Sequence, residues 1–363
     1  MVSMNKNTLT LIVLLQVCFL NSFILISPVS AEEDSWTTLT PMPTARSGLG
    51  VAVVEGKIYA IGGKNGSYLS VNEMYDPGTD TWTAKQPMPT ARSFFGIAVV
   101  QNKIYVIGGI IGPNGPSSNG FTGVNEVYDP SNDTWETLEP MPTPRAFLPA
   151  NVVEDKIYLI GGSKYLYYSP AFYQSSLVNE VYDPETDTWE TKAPLLSANS
   201  HRPSAVVDNK IYLFISTQIY DPETDSWTRG EEEIPYGSYD ALESVAGATT
   251  GMLAPKRIYV FGGLNQYNVP ANFTQIYDPE TDSWTAGTPM PTPRWALAVA
   301  VVNDELYAIG GYNGTARFAV NERYTPSGYI PEFPSWIFMP LLVTATVVAV
   351  ILKKRLASSY SDV

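Results

Sequence analysis

The chain has 363 residues, 44% hydrophobic and 12% aromatic but only 16% charged, which excludes disorder and supplies a large aromatic-rich core. Its formal net charge of −14 makes nucleic acid and anionic lipid headgroups unsuitable partners for its surface. One cysteine, Cys18, and one histidine, His201, allow no disulfide, no multi-histidine metal site and no Ser-His-Asp triad with a second spare base.

Read from the N-terminus, Lys6 precedes a mostly apolar stretch from Leu9 to Ile26, and small residues around Ser27 to Ala31 lead into acidic Glu32 and Glu33. That layout predicts a secretory signal peptide over residues 1–31, cleaved after Ala31, which removes Cys18 with it. Gln16, Asn21, Ser22 and Pro28 argue against the alternative of a retained anchor. At the other end, residues 336–352 carry no charge and are followed at once by Lys353, Lys354 and Arg355. A helix of that length spans about 25 Å, enough to cross a bilayer once with Trp336 and the lysines at its edges. The basic cluster predicts a cytoplasmic tail over 353–363, a linker over 328–335 and everything earlier outside a cell membrane.

Between these ends one phrase recurs six times: an Ile/Leu-Tyr strand ending in Gly-Gly, an Asn-Glu-x-Tyr-Asp-Pro strand, then Asp-x-Trp and Pro-Met-Pro-x-x-Arg. The pairs are Gly62-Gly63, Gly108-Gly109, Gly161-Gly162, Gly262-Gly263 and Gly310-Gly311, with Ile215-Ser216 in the matching place of the fourth copy. Successive copies lie 46 to 54 residues apart, close to one four-stranded propeller blade. Within a copy, Val51–Val54 and Lys57–Ile61 flank Glu55-Gly56 as a hairpin, and Val127–Asp129 and Thr134–Glu136 flank an Asp/Asn/Pro turn. No interior stretch keeps a helical period.

Over residues 36–326 this phrase resembles the Kelch repeat family. The resemblance implies an all-β, six-bladed propeller over 32–327, with the glycines ending the second strand beside the next blade. It also implies that Tyr75, Tyr128, Tyr182, Tyr220, Tyr277 and Tyr324, with Trp36, Trp82, Trp135, Trp189, Trp227 and Trp284, wedge between blades. Trp36 precedes the first Gly-Gly and no Trp follows Tyr324, so the N-terminal strand is expected to complete the sixth blade and close the ring. Two copies depart from the pattern. In the fourth, Ile211–Ile215 runs almost directly into Ile219-Tyr220-Asp221; in the fifth, an acidic insert runs from Gly230 to Gly251 and no Arg opens the first strand.

The resemblance places the second-to-third and fourth-to-first connections on one face, where such propellers bind. Candidate contacts there are Tyr165, Tyr167, Tyr168, Phe172 and Tyr173 in the loop from Ser163 to Leu177, and Tyr236 and Tyr239 in the insert; the long loop at 110–123 lies beside them. These rings either stack on a sugar or anchor a protein, or pack on one another to hold the loops. Arg46, Arg92, Arg145, Arg202 and Arg294 follow the Pro-rich turns. They form either a ligand ring for carboxylates at the channel mouth or a structural set bonding turn carbonyls between blades. Asn65, Asn132, Asn272 and Asn313 head glycosylation acceptor motifs.

Catalysis finds little support. The thiol-linked tyrosine and paired histidines of copper-radical Kelch-like oxidases are missing, as is the acidic-acidic-His spacing of iron-dependent plant Kelch proteins. The Asp-Pro-Glu-Thr-Asp phrases at 183–187, 221–225 and 278–282 lack the glycine and distal Glu of a calcium loop and read as turns. No metal or cofactor is expected. The lead from Tyr329 to Trp336 resembles the C-terminal anchors of exported archaeal proteins. The functional expectation is a cell-surface binding or adhesion module presenting its loop face to an extracellular protein or glycan. The alternative is an exported carbohydrate-active enzyme resembling the Kelch sialic acid epimerases and mutarotases.

Overall fold

The computed structural model describes residues 33–112, 120–165, 173–198, 203–214, 217–230, 245–265, 267 and 269–330, and the compact unit they build runs Asp34–Ile330. Six four-stranded antiparallel sheets follow one another in the chain. Blade 1 comprises Gly50–Val54, Lys57–Ile61, Asn72–Asp76 and Thr81–Lys85, and blade 2 Gly96–Val100, Lys103–Ile107, Asn125–Asp129 and Thr134–Leu138. Blade 3 comprises Ala150–Val153, Lys156–Ile160, Asn179–Asp183 and Thr188–Thr191, and blade 4 Ser204–Val207, Lys210–Leu213, Gln218–Asp221 and Ser226–Arg229. Blade 5 comprises Val245–Ala248, Ile258–Phe261, Thr274–Asp278 and Ser283–Ala286. Blade 6 takes Ala298–Val302, Glu305–Ile309 and Asn321–Thr325 from the C-terminal part and Ser35–Thr38 from the N-terminal part. Trp36 lies opposite Tyr324, so the expected closure is present, and it joins two segments of the chain nearly 290 residues apart.

Except in blade 5, the first-to-second hairpins are two-residue turns in which both residues take positive φ, as at Gln101 (49°) and Asn102 (61°). That backbone matches the right-handed twist of the flanking strands. Alternation in the first and second strands then sends apolar residues to both sheet faces, and the core divides into six clusters, each built from two neighbouring blades. Between blades 1 and 2, for example, Ile61 and Tyr59 meet Phe95, Ile104, Val106 and Tyr128. The third-strand tyrosine of each blade packs against the second-strand tyrosine of the blade before it, as Tyr128 does on Tyr59 at 5.9 Å.

A polar clasp accompanies each aromatic contact. The Tyr128 hydroxyl donates to Asp133 (2.5 Å), which also accepts the Gln86 backbone N–H of blade 1 (2.8 Å); Trp135 Nε1 donates to the Gln86 carbonyl (2.9 Å). One residue of the preceding blade is thus held by both its N–H and its carbonyl, and the same arrangement grips Thr40, Glu139, Ala193 and Thr288; in blade 5, Trp284 Nε1 has no such acceptor among the described residues. The Asp of the Asp-x-Trp phrase is therefore a joint between blades as well as a turn residue.

The signal peptide expected over 1–31 and the membrane helix and tail expected over 336–363 lie outside the described residues, as does most of the linker. Among the described residues there is no helix long and apolar enough to cross a membrane.

Candidate functional site

The Gly-Gly pairs and the turns that carry the arginines meet on one face of the ring. The Gly63 N–H donates to the Arg92 carbonyl, Gly109 to Arg145, Gly263 to Arg294 and Gly311 to Arg46, so each of these four pairs bonds the turn entering the next blade. A Cβ on Gly108, whose φ is +70°, would stand 2.7 Å from the Arg145 carbonyl oxygen. Glycine is required there by both space and φ.

The arginine side chains correct the expectation of a ligand ring. Arg46, Arg92, Arg145 and Arg294 are wholly buried, and each is ion-paired with the glutamate of its own blade's third strand. Arg46 bonds Glu73 (2.5 Å) and donates also to the carbonyls of Thr44 and Ala60, both 2.9 Å; Arg294 bonds Glu322 (2.5 Å). The other carboxylate oxygen accepts from a threonine of the Pro-rich turn, Thr44, Thr90, Thr143 or Thr292. Burial pulls the Arg92 guanidinium below its ordinary value while the Glu126 carboxylate pulls it back up. With no exposed atom, these four pin turn to sheet inside a blade and offer nothing to a ligand. The carbonyls they bond are also those of their own blade, not of a neighbour.

Arg202 lies outside the described residues, and its register separates it from the others. Ten residues run from Thr44 to Val54, from Thr90 to Val100, from Thr143 to Val153 and from Thr292 to Val302; the same ten run from Ser197 to Val207. By this count along the sequence it is Asn199, not Arg202, that corresponds to the four arginines. In blade 5, where Gly247 pairs with Tyr259, the same count along the sequence arrives at Ala241, which lies outside the described residues. The third-strand partner is Glu in blades 1, 2, 3 and 6 but Gln218 and Gln275 in blades 4 and 5, so arginine and glutamate are kept or lost together. A lone buried charge of either sign is costly, and this pairing avoids both. Gln218 is held instead by the backbone of Leu196 and Ser197.

Around the channel mouth, residues two past the arginines take positive φ: Gly48, Phe94, Phe147 and Ala296. Their backbones bond head to tail, Phe147 N–H to Phe94 carbonyl, Phe94 to Gly48 and Gly48 to Ala296. The Phe94 ring lies against Gly48 and 4.5 Å from the ring of Phe147. Half-buried and on the rim, these two phenylalanines were not singled out from the sequence; their signal was an aromatic at the position that is Gly in blade 1 and Ala in blade 6.

Of the predicted loop aromatics, Tyr165 and Tyr173 are backbone partners in a small hairpin, Ser163–Tyr165 with Tyr173–Ser175. Tyr167, Tyr168, Phe172, Tyr236 and Tyr239 lie outside the described residues, as does His201. Asn65 and Asn313 are exposed at the tips of the second-to-third loops of blades 1 and 6, and Asn272 is half-buried in that of blade 5. Asn132 sits exposed on a third-to-fourth turn and donates to Asp129 (3.0 Å). The Asp-Pro-Glu-Thr-Asp turns use their carboxylates internally: Asp221 accepts from Glu223 N–H (3.0 Å) and Asp225 from Tyr220 (2.6 Å). On the opposite, hairpin face, a cleft of about 420 Å³ between blades 1 and 2 is lined by Glu55, Lys57, Tyr59, Asn102, Lys103 and Asp129.

Comparison with known proteins matches residues 20–216 to a KLHDC2/KLHL20/DRC7 Kelch-repeats domain and residues 255–291 and 296–338 to the Kelch motif. Kelch-like protein terF of Aspergillus terreus is 29% identical over 291 residues, covering 76% of this chain and 52% of that protein. Kelch-like protein 36 of Bos taurus is 27% identical over 291 residues, covering 78% and 39%. Beta-scruin of Limulus polyphemus is 32% identical over 194 residues, covering 51% and 21%. The chain thus spans about half or less of the length of these relatives. The solved structure of YjhT superposes with a TM-score of 0.65 at 16% identity, covering 78% of this chain and 95% of that one, a likeness of fold.

Proposed function

The chain belongs to the Kelch-repeat β-propeller family, and on that premise we propose that it is a protein-binding module that works through the loop face, exported and tethered by its C-terminus. Kelch propellers generally mediate protein–protein interaction, which supports the first part of this reading. The observation that carries it is where the ring departs from its own repeat. The third-to-fourth turns and, except in blade 5, the first-to-second hairpins are short and alike. The second-to-third and fourth-to-first connections differ in length and composition from blade to blade. Differences gathered on one face of a repeated scaffold are what a binding surface needs, because they leave the packing beneath unchanged.

The hairpin side is where the described chain ends. The Ile330 N–H donates to the Leu253 carbonyl in blade 5's first-to-second connection (2.6 Å), and Asp34 takes the clasp position of blade 6. The loop face is free of both. Export and tethering rest on the leader-like residues 1–31 and on the uncharged run 336–352 with its basic flank.

A photo-crosslinking amino acid placed at Ala316 or Tyr267, both exposed on the loop face, and at Asp208 on the hairpin face, tests the reading on the full chain in its native cells. Protein adducts from the first two positions and not from the third are expected. Adducts from Asp208 alone would overturn it.

A further inference from the structure

In a ring of six copies, features that recur account for the fold, so a binding feature is best sought among those that occur once. The residue after the Gly-Gly pair is Lys64, Ile110, Ser163, Leu264 and Tyr312 in the five blades where it is described. Blades 6 and 1, which are neighbours, carry a cation and aromatics here. The Lys64 ammonium lies 4.8 Å from the Tyr68 ring centre, and the Arg317 guanidinium 5.0 Å from that of Tyr312. Trp295 meets Tyr312 edge-on at 5.3 Å.

The two groups share one surface. The Arg46 N–H donates to the Phe318 carbonyl (3.1 Å) and Ser47 pairs with Lys64, so both loops flank the turn that enters blade 1. Lys64, Tyr68, Trp295, Tyr312 and Arg317 are all half-buried. Lys57, Lys156, Lys210, Arg257 and Arg323, by contrast, are each paired with a carboxylate. Neither Lys64 nor Arg317 has a carboxylate partner among the described residues. In a chain of net charge −14, two adjacent unpaired cations, partly desolvated against rings, stand out.

We infer that this patch seats an acidic segment of the protein partner, its carboxylates reaching Lys64 and Arg317 and its apolar side chains resting between Tyr68 and Trp295. The inference rests on the protein-binding reading and narrows it to blades 6 and 1. A carboxylate pairs with a half-buried guanidinium that has no acidic partner of its own, and Arg and aromatic anchors are the groups that concentrate binding energy at protein interfaces. A sugar fits less well. It stacks on an open ring face, and one face of both Tyr68 and Tyr312 is already covered by a cation.

The test uses the full chain against an immobilised random copolypeptide of Glu and Tyr. Wild type is expected to bind, with affinity falling as salt rises. The double reversal Lys64→Glu/Arg317→Glu is expected to weaken binding by about tenfold or more. Lys103→Glu, an exposed cation of the hairpin face, is expected to leave it unchanged, with thermal midpoints confirming that all variants fold. No binding by wild type, or equal loss in the Lys103 variant, overturns the inference. A sialylated glycan captured by wild type and lost in the double reversal also overturns it, because the occupant is then a sugar. If loop-face crosslinking to a protein persists in the double reversal, the protein-binding reading stands and this placement fails.

Discussion

Blades 6, 1, 2 and 3 form one arc of the ring, and blades 4 and 5 the other. In the first arc every entering turn is pinned by a buried Arg–Glu pair, and the mouth residues bond head to tail. In the second, the pair is replaced by neutral residues, the Gly-Gly of blade 4 becomes Ile215-Ser216, and the insert follows Gly230. The two losses do not fall at one joint. Blade 4 lacks the arginine and the glutamate although blade 3 before it keeps Gly161-Gly162, so the buried charge pair and the Gly-Gly pair are separate devices. The Tyr–Asp joint, in contrast, is present in both arcs, at 2.5 Å in blade 2 and 2.6 Å in blade 4.

The most severe way to break the comparison is to open the ring inside the charged arc. Deleting residues 32–40 removes the fourth strand of blade 6 and should abolish cooperative unfolding; an unchanged calorimetric transition would mean that the ring does not depend on this closure. Next, Glu126→Gln installs a neutral-arc residue beneath Arg92 and leaves its charge uncompensated. A loss of about 3–5 kcal/mol is expected in denaturant unfolding. Adding Arg92→Asn, the residue that blade 4 has in register, should recover a good part of that loss. If the double variant is less stable than both single variants, the pairing argument fails.

Gly108→Ala tests the pressure of one blade on the next. With φ at +70° and a carbonyl oxygen 2.7 Å from the new Cβ, it should cost about 2–4 kcal/mol. A smaller effect still is expected from Tyr128→Phe and Tyr220→Phe, about 1–1.5 kcal/mol each. Their near equality would show that the joint is common to both arcs.

Acid sharpens the same point. The Tyr75 and Tyr128 hydroxyls, with the Thr40 and Gln86 backbone N–H groups, hold Asp80 and Asp133 below the ordinary carboxylate value. Because the folded-state value is the depressed one, this stabilisation is fully present above the unfolded value of about 3.9 and is lost as pH falls through the folded value. The thermal midpoint of the wild type should therefore drop below about pH 4. In Asp133→Asn that drop should be smaller.

Much of the fold was legible because six copies of a short phrase average out local ambiguity. Trp36 without a preceding Gly-Gly was enough to predict that the N-terminal strand closes blade 6. The arginines were legible as a set but not in their role. A residue after a Pro-rich turn reads equally well as a mouth ligand or a buried strut, and only the depth of the turn decides. A signal was available: the glutamate of Asn-Glu-x-Tyr-Asp becomes Gln in the two copies that lack the arginine, which marks a pair of charges that neutralise each other. Arg202 was grouped with the others by its place after a turn, and counting ten residues back from Val207 separates it.

By itself, the sequence determined the number of blades, the strands within each and the way the ring closes, because those depend on period-two alternation, turn residues and repeat spacing, all of which are local. What the tertiary structure alone decided is which charges are internal and which face outward. Arg46 and Arg317 are the same residue type on neighbouring loops, yet one is wholly buried against Glu73 and the other stands over Tyr312 without a carboxylate. That difference is set by what the folded chain brings alongside each guanidinium from 27 residues away in one case and from nowhere among the described residues in the other.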